Sequence, residues 1–394
     1  MKRQPLGGVL SDLESQHLTR RRTTIDGFVE PGNRVVTTAD GRTLVDFSSN
    51  DYLGLAHHPA VAAAMSACAQ RTGAGSGASH LVTGHGIEHA RLEEELAAFL
   101  GRERALLFST GYMANLGVMA ALAGRGELVL LDRLGHASII DGALLSGARF
   151  KRYTHGDAAA AERMLSENAE EATVVATDGV FSMDGDIAPI QQLAKAAKTR
   201  KAWLVVDDAH GIGVLGGTGR GSVEHCGASA DDVPVLVGTM GKAFGSFGAF
   251  VAGSRDLIEF LIQKARAYIY TTALPQPVAA ATRKALEIAQ REPWRRERVL
   301  ALTTRFRKAA REAGIALLDS NTPIQAVVLG SSAAALQAQQ DLLEAGFRAV
   351  AIRAPTVPQG SERLRVTLSA AHSEEQVDAL VERLSHLHAA ESAS

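Results

Sequence analysis

Cysteine is scarce in this chain: Cys68 and Cys226 are the only two among 394 residues. They are too few and too far apart for a disulfide framework or a cysteine-based zinc centre. Both read as packing thiols in a reducing compartment, and no metal is expected. An excess of one charge is missing too. With 41 basic and 43 acidic residues the formal net charge is −2, which points to no polyanion surface and no nucleic-acid partner. Nothing approaches the roughly 20 consecutive apolar residues that cross a bilayer, so no membrane partner is expected. Met1-Lys2-Arg3-Gln4-Pro5 leads into no apolar run. No signal peptide is expected, and the predicted location is the cytoplasm.

What is there is an ordinary globular composition, 46% hydrophobic and 21% charged, long enough for two domains. Residues 10–22 read as an amphipathic helix ending in Arg20-Arg21-Arg22, since basic residues suit a helix C-terminus. Further on, residues 105–108, 128–131, 173–176, 204–206 and 235–237 are short apolar runs without alternation. That is the pattern of parallel strands covered on both faces. Helical stretches such as 189–199 separate them, which predicts an α/β domain with a mostly parallel sheet. From about residue 285 the pattern changes. Residues 315–318 and 326–329 read as strands, 334–345 as a helix, and 363–368 as a half-exposed strand. Ser373-Glu374-Glu375-Gln376 is a capping box that opens a last helix to about residue 387, before a frayed tail. The expected organisation is an N-terminal arm over 1–45, a large domain over 46–284 and a smaller α/β domain over 285–394.

Each apolar run empties into Gly, Ser, Thr, Asp, His or Lys. Ligands of open α/β sheets sit outside the carboxyl ends of the strands, so these ends converge on one cleft. Two of them carry most of the chemistry. Leu204-Val205-Val206 runs into Asp207-Asp208-Ala209-His210, and Val235-Leu236-Val237 into Gly238-Thr239-Met240-Gly241-Lys242-Ala243. A lysine in a dry cleft becomes a usable nucleophile and base. A carboxylate at a strand end is costly unless it meets a cation. Pyridoxal phosphate suits both: Lys242 would hold its aldehyde, and Asp207 would keep its ring nitrogen protonated. A phosphate-binding P-loop does not fit, because Ala243 follows the lysine and Gly238 lies only three residues before Gly241. Taken singly, a solvated lysine and a helix-capping aspartate stay open.

The neighbouring signals are weaker. His210 could bond the cofactor's phenolic oxygen, or be structural. His136 could stack on the pyridine face, or be a loop histidine. Ser109-Thr110-Gly111-Tyr112 reads as a strand end turning into a helix whose N-terminus favours a phosphate. Gly73, Gly75 and Gly77 follow a helix and lack the spacing of a dinucleotide fingerprint.

Together these residues resemble the α-oxoamine synthases, pyridoxal-phosphate enzymes of the aspartate-aminotransferase fold (fold type I). The likeness runs nearly end to end. It rests on Phe47-Ser48-Ser49-Asn50-Asp51-Tyr52-Leu53-Gly54-Leu55, on Thr177-Asp178-Gly179-Val180-Phe181-Ser182-Met183-Asp184-Gly185, and on the two strand ends above. Ala351-Ile352-Arg353-Ala354-Pro355-Thr356-Val357-Pro358 resembles the branch that serves biotin synthesis. The resemblance implies a seven-stranded, mostly parallel sheet in the large domain. It implies catalytic roles for Lys242, Asp207, His210 and His136. Ser182 would sit near the phenolic oxygen, and Gly111, Tyr112 and Thr239 near the phosphate or the lysine loop. Asn50 and Arg353 would face the amino-acid or product carboxylate and Thr356 the substrate. An arm arginine would also contact substrate, with Arg20 chosen over Arg21. A homodimer is implied, with Thr271 and Thr272 reaching the partner's phosphate.

The implied reaction joins L-alanine to a pimeloyl thioester, carried by CoA or acyl carrier protein, with loss of carbon dioxide. Branches such as glycine C-acetyltransferase and 5-aminolevulinate synthase share the cofactor residues, so Lys242 and Asp207 do not separate them. A ligand-binding protein without catalysis on the same fold is a more distant alternative. Two departures touch the acyl substrate. His80 stands where many members have arginine, and the turn 23–33 looks longer than in some relatives.

Overall fold

The computed structural model describes residues 6–16, 18–20, 22–30, 33–168 and 172–392. Arg21 and the last two residues of the tail lie outside the described residues. The chain divides into two units. The first comprises residues 1–49, 183–185 and 298–394, the second residues 50–182 and 186–297. The units part at 49/50 and 297/298, whereas the boundaries expected from sequence lie at 45/46 and 284/285.

The first unit opens with an exposed helix, Leu6–Ser15. It starts and stops earlier than the sequence suggested. The Leu18 amide bonds the Leu13 carbonyl at 2.8 Å and closes the helix, so Arg20 and Arg22 lie in irregular chain rather than in a basic last turn. Strands β1 (Ile25–Phe28), β2 (Val35–Thr38) and β3 (Thr43–Asp46) follow as an antiparallel ladder.

The second unit holds the main sheet. Its strands are β4 (Arg104–Phe108), β5 (Leu128–Asp132), β6 (Arg149–Tyr153), β7 (Ala172–Asp178), β8 (Trp203–Asp207), β9 (Val235–Thr239) and β10 (Ala249–Gly253). They lie in the order β4-β10-β9-β8-β7-β5-β6. Only β10 runs against its neighbours, so the seven-stranded, mostly parallel sheet expected from the sequence is present. Leu106, Val129, Leu131, Val174, Val205 and Val237 are at most 1% exposed, which explains runs apolar on both faces. Register brings the polar ends level. Asp178 pairs with Asp207, Asp207 with Val237, and Leu131 with Ala176. Asp132, Asp178, Asp207 and Thr239 therefore finish side by side at one edge.

Helices Gly111–Leu122 and Ala137–Ser146 pack closely beside that edge. Gly142 permits the approach. A Cβ there would lie 2.8 Å from Met119 Cβ and 3.0 Å from the Asn115 carbonyl oxygen.

The rest of the first unit contains β11 (Ile324–Val328), β12 (Phe347–Arg348), β13 (Val350–Ile352) and β14 (Arg363–Thr367). β12 adds to β3, and the others form the sheet β11-β14-β13. Three expectations are corrected here. Residues 315–318 contribute a single bridge, Leu317 to Val327, rather than a strand. β14 is buried throughout, because Arg363 pairs with Asp184 and Arg365 donates to the Thr367 hydroxyl at 2.9 Å. The last helix, Glu374–Ser392, continues past residue 387.

His372 is buried in this unit and stacked on Phe47 with ring centroids 4.1 Å apart. Its Nδ1 accepts from the Ser369 amide at 3.0 Å, which leaves Nε2–H to donate to the Asp46 carbonyl at 3.1 Å. Burial lowers its pKa to about 3. The unfolded chain takes up this proton near pH 6.5, the folded one only near 3, so stability is lost as the pH falls below 6.5. Urea midpoints of wild type should therefore fall from pH 7 to pH 5 more steeply than those of His372→Gln. Parallel slopes would show that His372 does not drive the loss.

Candidate active site

The site grows from the ends of β8 and β9. β8 delivers two adjacent aspartates into different surroundings. Asp207 lines a cavity, and its oxygens accept from the Ala209 amide at 3.1 Å and from Asn115 Nδ2 at 2.6 Å. Asp208 turns away and accepts from the Ser222 amide at 2.7 Å. A Cβ on Gly211 or Gly221 would sit 2.1 or 2.0 Å from its carboxylate oxygens. Burial pushes Asp208 up to about 7. It holds the following loop together, and Asp207 is the carboxylate presented to a ligand.

β9 delivers the lysine. The Thr239 hydroxyl donates to the Gly248 carbonyl at 3.0 Å and accepts from the Gly241 amide at 3.2 Å, bracing the turn before Lys242. Lys242 Nζ lies 2.8 Å from His210 Nε2, and His210 Nδ1 lies 2.6 Å from the Tyr52 hydroxyl. Tyr52 in turn points its hydroxyl at Asn50 Oδ1, 3.4 Å away. An ammonium has only donors, so the chain of donation runs from Lys242 through His210 and Tyr52 to Asn50.

The third wall is the start of helix Ala137–Ser146, capped by His136. Asn115 Nδ2 also donates to the Ser138 hydroxyl at 2.8 Å; the Ser138 amide donates to His136 Nδ1 at 3.3 Å, so Nδ1 is an acceptor and the hydroxyl gives it its proton at 2.6 Å. His136 thus carries its proton on Nε2. The His136 amide donates to Asp178 Oδ1 at 3.2 Å. Burial, and then the neighbouring Asp207, raise Asp178 well above the ordinary carboxylate range.

These groups enclose a cavity of about 210 Å³. Of the residues expected from sequence, Gly111, Tyr112, His136, Ser182, Asp207, His210, Thr239 and Lys242 line it. Asn50 connects to it through Tyr52. Thr271 and Thr272 do not line it: Thr271 donates to the Ala267 carbonyl at 2.6 Å, and Thr272 bridges to Ser79. Arg20, Arg353 and Thr356 belong to the first unit, where Arg353 donates to the Thr19 carbonyl at 3.2 Å. Asn115, Tyr52, Ser138 and Asp178 were not singled out from sequence. Asn115 could have been, as a lone amide on the apolar face of its helix.

A groove of about 750 Å³ between helices Pro59–Thr72, Ile87–Leu100 and Gln276–Arg291 is larger than the cavity. Arg71, Arg283, Glu88 and Glu95 pair with one another there, and none of the predicted site residues lines it. His80 stacks on Tyr268 and lies 2.9 Å from His85, with its pKa lowered to about 3 by burial. Nearby, His89 has both nitrogens engaged by backbone groups of Gly86 and Leu274.

The sequence pattern of class I and II aminotransferases matches residues 42–384. An 8-amino-7-oxononanoate synthase of Methylococcus capsulatus is 58% identical over 375 residues, covering 95% of this chain and 96% of that one. The chain belongs to the class I and II aminotransferase family, in its 8-amino-7-oxononanoate synthase branch. Among solved structures, an 8-amino-7-oxononanoate synthase of Francisella tularensis is 31% identical with a TM-score of 0.78, covering 89% of this chain and 99% of that one. A serine palmitoyltransferase of S. paucimobilis, solved with an adduct of pyridoxal phosphate and myriocin, is 29% identical with a TM-score of 0.93 over both full lengths. The fold is common to both branches, and the 58% identity to the Methylococcus synthase is what favours the 8-amino-7-oxononanoate branch.

The enzyme is pyridoxal-phosphate dependent, and its cavity fits that group. It offers an amine for the aldehyde, a braced carboxylate for a cationic ring nitrogen, and open space beside the first turn of helix Gly111–Leu122. Apart from its chain neighbours and its own helix backbone, no heavy atom lies within 4 Å of a Cβ built on Gly111. Asn115→Ala would strip Asp207 of a charge-assisted hydrogen bond, typically worth about 1.5–3 kcal/mol. Cofactor affinity, followed by fluorescence titration, should weaken by roughly tenfold or more. Unchanged affinity would show that Asn115 does not support Asp207.

Proposed function

We propose that this enzyme condenses L-alanine with a pimeloyl thioester to give 8-amino-7-oxononanoate, carbon dioxide and the free thiol carrier, a step of biotin synthesis. A bond forms between the alanine α-carbon and the acyl carbon. The thioester C–S bond and the bond from the α-carbon to its carboxylate break. When bound, pyridoxal phosphate supplies an electron sink for negative charge at the α-carbon.

The chain's own residues do the rest. Lys242 Nζ binds the cofactor's aldehyde and, as the free amine, takes the proton from the alanine α-carbon and later returns one there. His210 orients that amine and, with Ser182, meets the phenolic oxygen. Asp207 keeps the ring nitrogen protonated. His136 would stack on the ring and help place the acyl substrate. Gly111, Tyr112 and Thr239 surround the phosphate or the lysine loop, and a helix N-terminus there favours an anion. Asn50 and Arg353 take the amino-acid or product carboxylate, and Thr356 and Arg20 contact the substrate.

The working form is a cytoplasmic homodimer, in which Thr271 and Thr272 serve the phosphate of the partner's site. Their absence from this chain's own cavity supports that reading. Either CoA or acyl carrier protein carries the pimeloyl group.

The observation that carries the proposal is one cavity with Lys242 on His210 and Asp207 on Asn115, in a chain 58% identical to a named synthase of this activity. Thiol release should be much faster with alanine plus pimeloyl-CoA than with glycine plus acetyl- or succinyl-CoA, and the reverse order would move the enzyme to another branch. Lys242→Ala should lose the visible absorbance of the bound cofactor, and turnover by roughly 10²-fold or more. Normal turnover in that variant would refute the role of Lys242.

A further inference from the structure

His155 has no part in the chemistry above, yet it joins two loops that do. It lies just past β6, with its side chain 26% exposed. Its Nδ1 is 2.9 Å from Asp132 Oδ1, and its Nε2 is 2.9 Å from Asp186 Oδ2. Phe181 stands edge-on to the ring, centroids 4.3 Å apart at 90°. Two carboxylates on the two ring nitrogens require a proton on each, so the imidazole is a cation.

Each carboxylate belongs to a loop of the cofactor cavity. Asp132 ends β5, and its Oδ1 also accepts from the Leu134 amide at 2.8 Å, which shapes the turn leading to His136. Its Oδ2 accepts from the Gly156 amide at 3.0 Å. Asp186 lies on the returning arm of the hairpin that follows β7. The Phe181 amide bonds the Asp186 carbonyl at 3.0 Å, and Val180 bridges to Ile187. Ser182, which lines the cavity, is the residue after Phe181. We propose that His155 is a positioning residue, a charged strut that ties the loop carrying His136 to the loop carrying Ser182 and fixes both toward the cofactor. The proposal rests on the functional reading above.

The charge has a consequence independent of any ligand. Hydrogen bonds to Asp132 and Asp186 raise the His155 pKa from 6.5 to about 10. A group raised in the folded state gives stability that is complete below 6.5 and lost as the pH rises through about 10.

The test compares His155→Gln, Asp186→Asn and the double variant as full-length holoenzymes. His155→Gln removes the strut, and Asp186→Asn breaks it at one end. Both should bind the cofactor with weakened visible circular dichroism, and kcat should fall by about tenfold or more, as misplaced contact groups do. The double variant should cost no more than the worse single one, because both changes break the same strut. Values of kcat and visible circular dichroism within about twofold of wild type, or costs that simply add, would overturn the proposal.

If His155→Gln does not fold, Asp186→Asn carries the test, since Asp186 is partly exposed. Melting without cofactor supplies a separate readout. The gap between wild type and Asp186→Asn should be wide near pH 6 and close towards about pH 10. A constant gap contradicts the strut. A wild-type protein that forms no cofactor band would overturn the functional reading instead, and the melting gap would still decide whether the strut exists.

Discussion

Parallel strands that end level with one another crowd their last residues, and here those residues are acids. The register of β7 on β8 sets Asp178 directly opposite Asp207, and β5 brings Asp132 to the same edge. Asp132, Asp178 and Asp207 are all buried. Burying several carboxylates together is strongly unfavourable unless each finds a cation, a donor or a proton. Much of the site follows from how this sheet edge meets that constraint.

The solutions differ from strand to strand. Asp132 has an imidazolium, His155, and two backbone amides. Asp178 has the His136 amide and an environment that favours its neutral form. Asp207 has Asn115, which also sets the Ser138 hydroxyl and through it the tautomer of His136. One amide side chain therefore fixes two walls of the cavity at once. It can do so because Gly142 lets the helices carrying Asn115 and Ser138 touch. Core packing, hydrogen bonding and the placing of functional groups are here a single arrangement.

Much of this was legible in the sequence. Continuous apolar runs ending in polar residues revealed the parallel strands and their functional edge. The eight predicted residues that line the cavity all lie on or just after strand ends, or within the one loop matched by resemblance. What was not legible depends on distance in sequence. Asn115 and Asp207 are 92 positions apart, and His155 and Asp186 are 31 apart. No local periodicity joins them. Alternation also misled at β14, where Arg363 and Arg365 suggested a solvent face and tertiary pairing buried them. The N-terminal arginines misled for the opposite reason. A basic run suits a helix end in general, but the Leu18–Leu13 hydrogen bond had already closed this helix.

The neighbours Asp207 and Asp208 show why composition alone cannot assign chemistry to a strand end. Both are aspartates, both are buried, and one peptide bond separates them. Alternation along β8 sends their side chains to opposite sides. On one side glycines at 211 and 221 close around Asp208, and the Ser222 amide meets its carboxylate, so it finishes as part of the loop. On the other side Asn115 braces Asp207 but leaves it facing open space shared with Lys242. A carboxylate already met by the protein gains little from a cationic ligand. One that the protein braces and leaves facing the cavity gains a great deal, and that difference makes Asp207 the partner for a protonated ring.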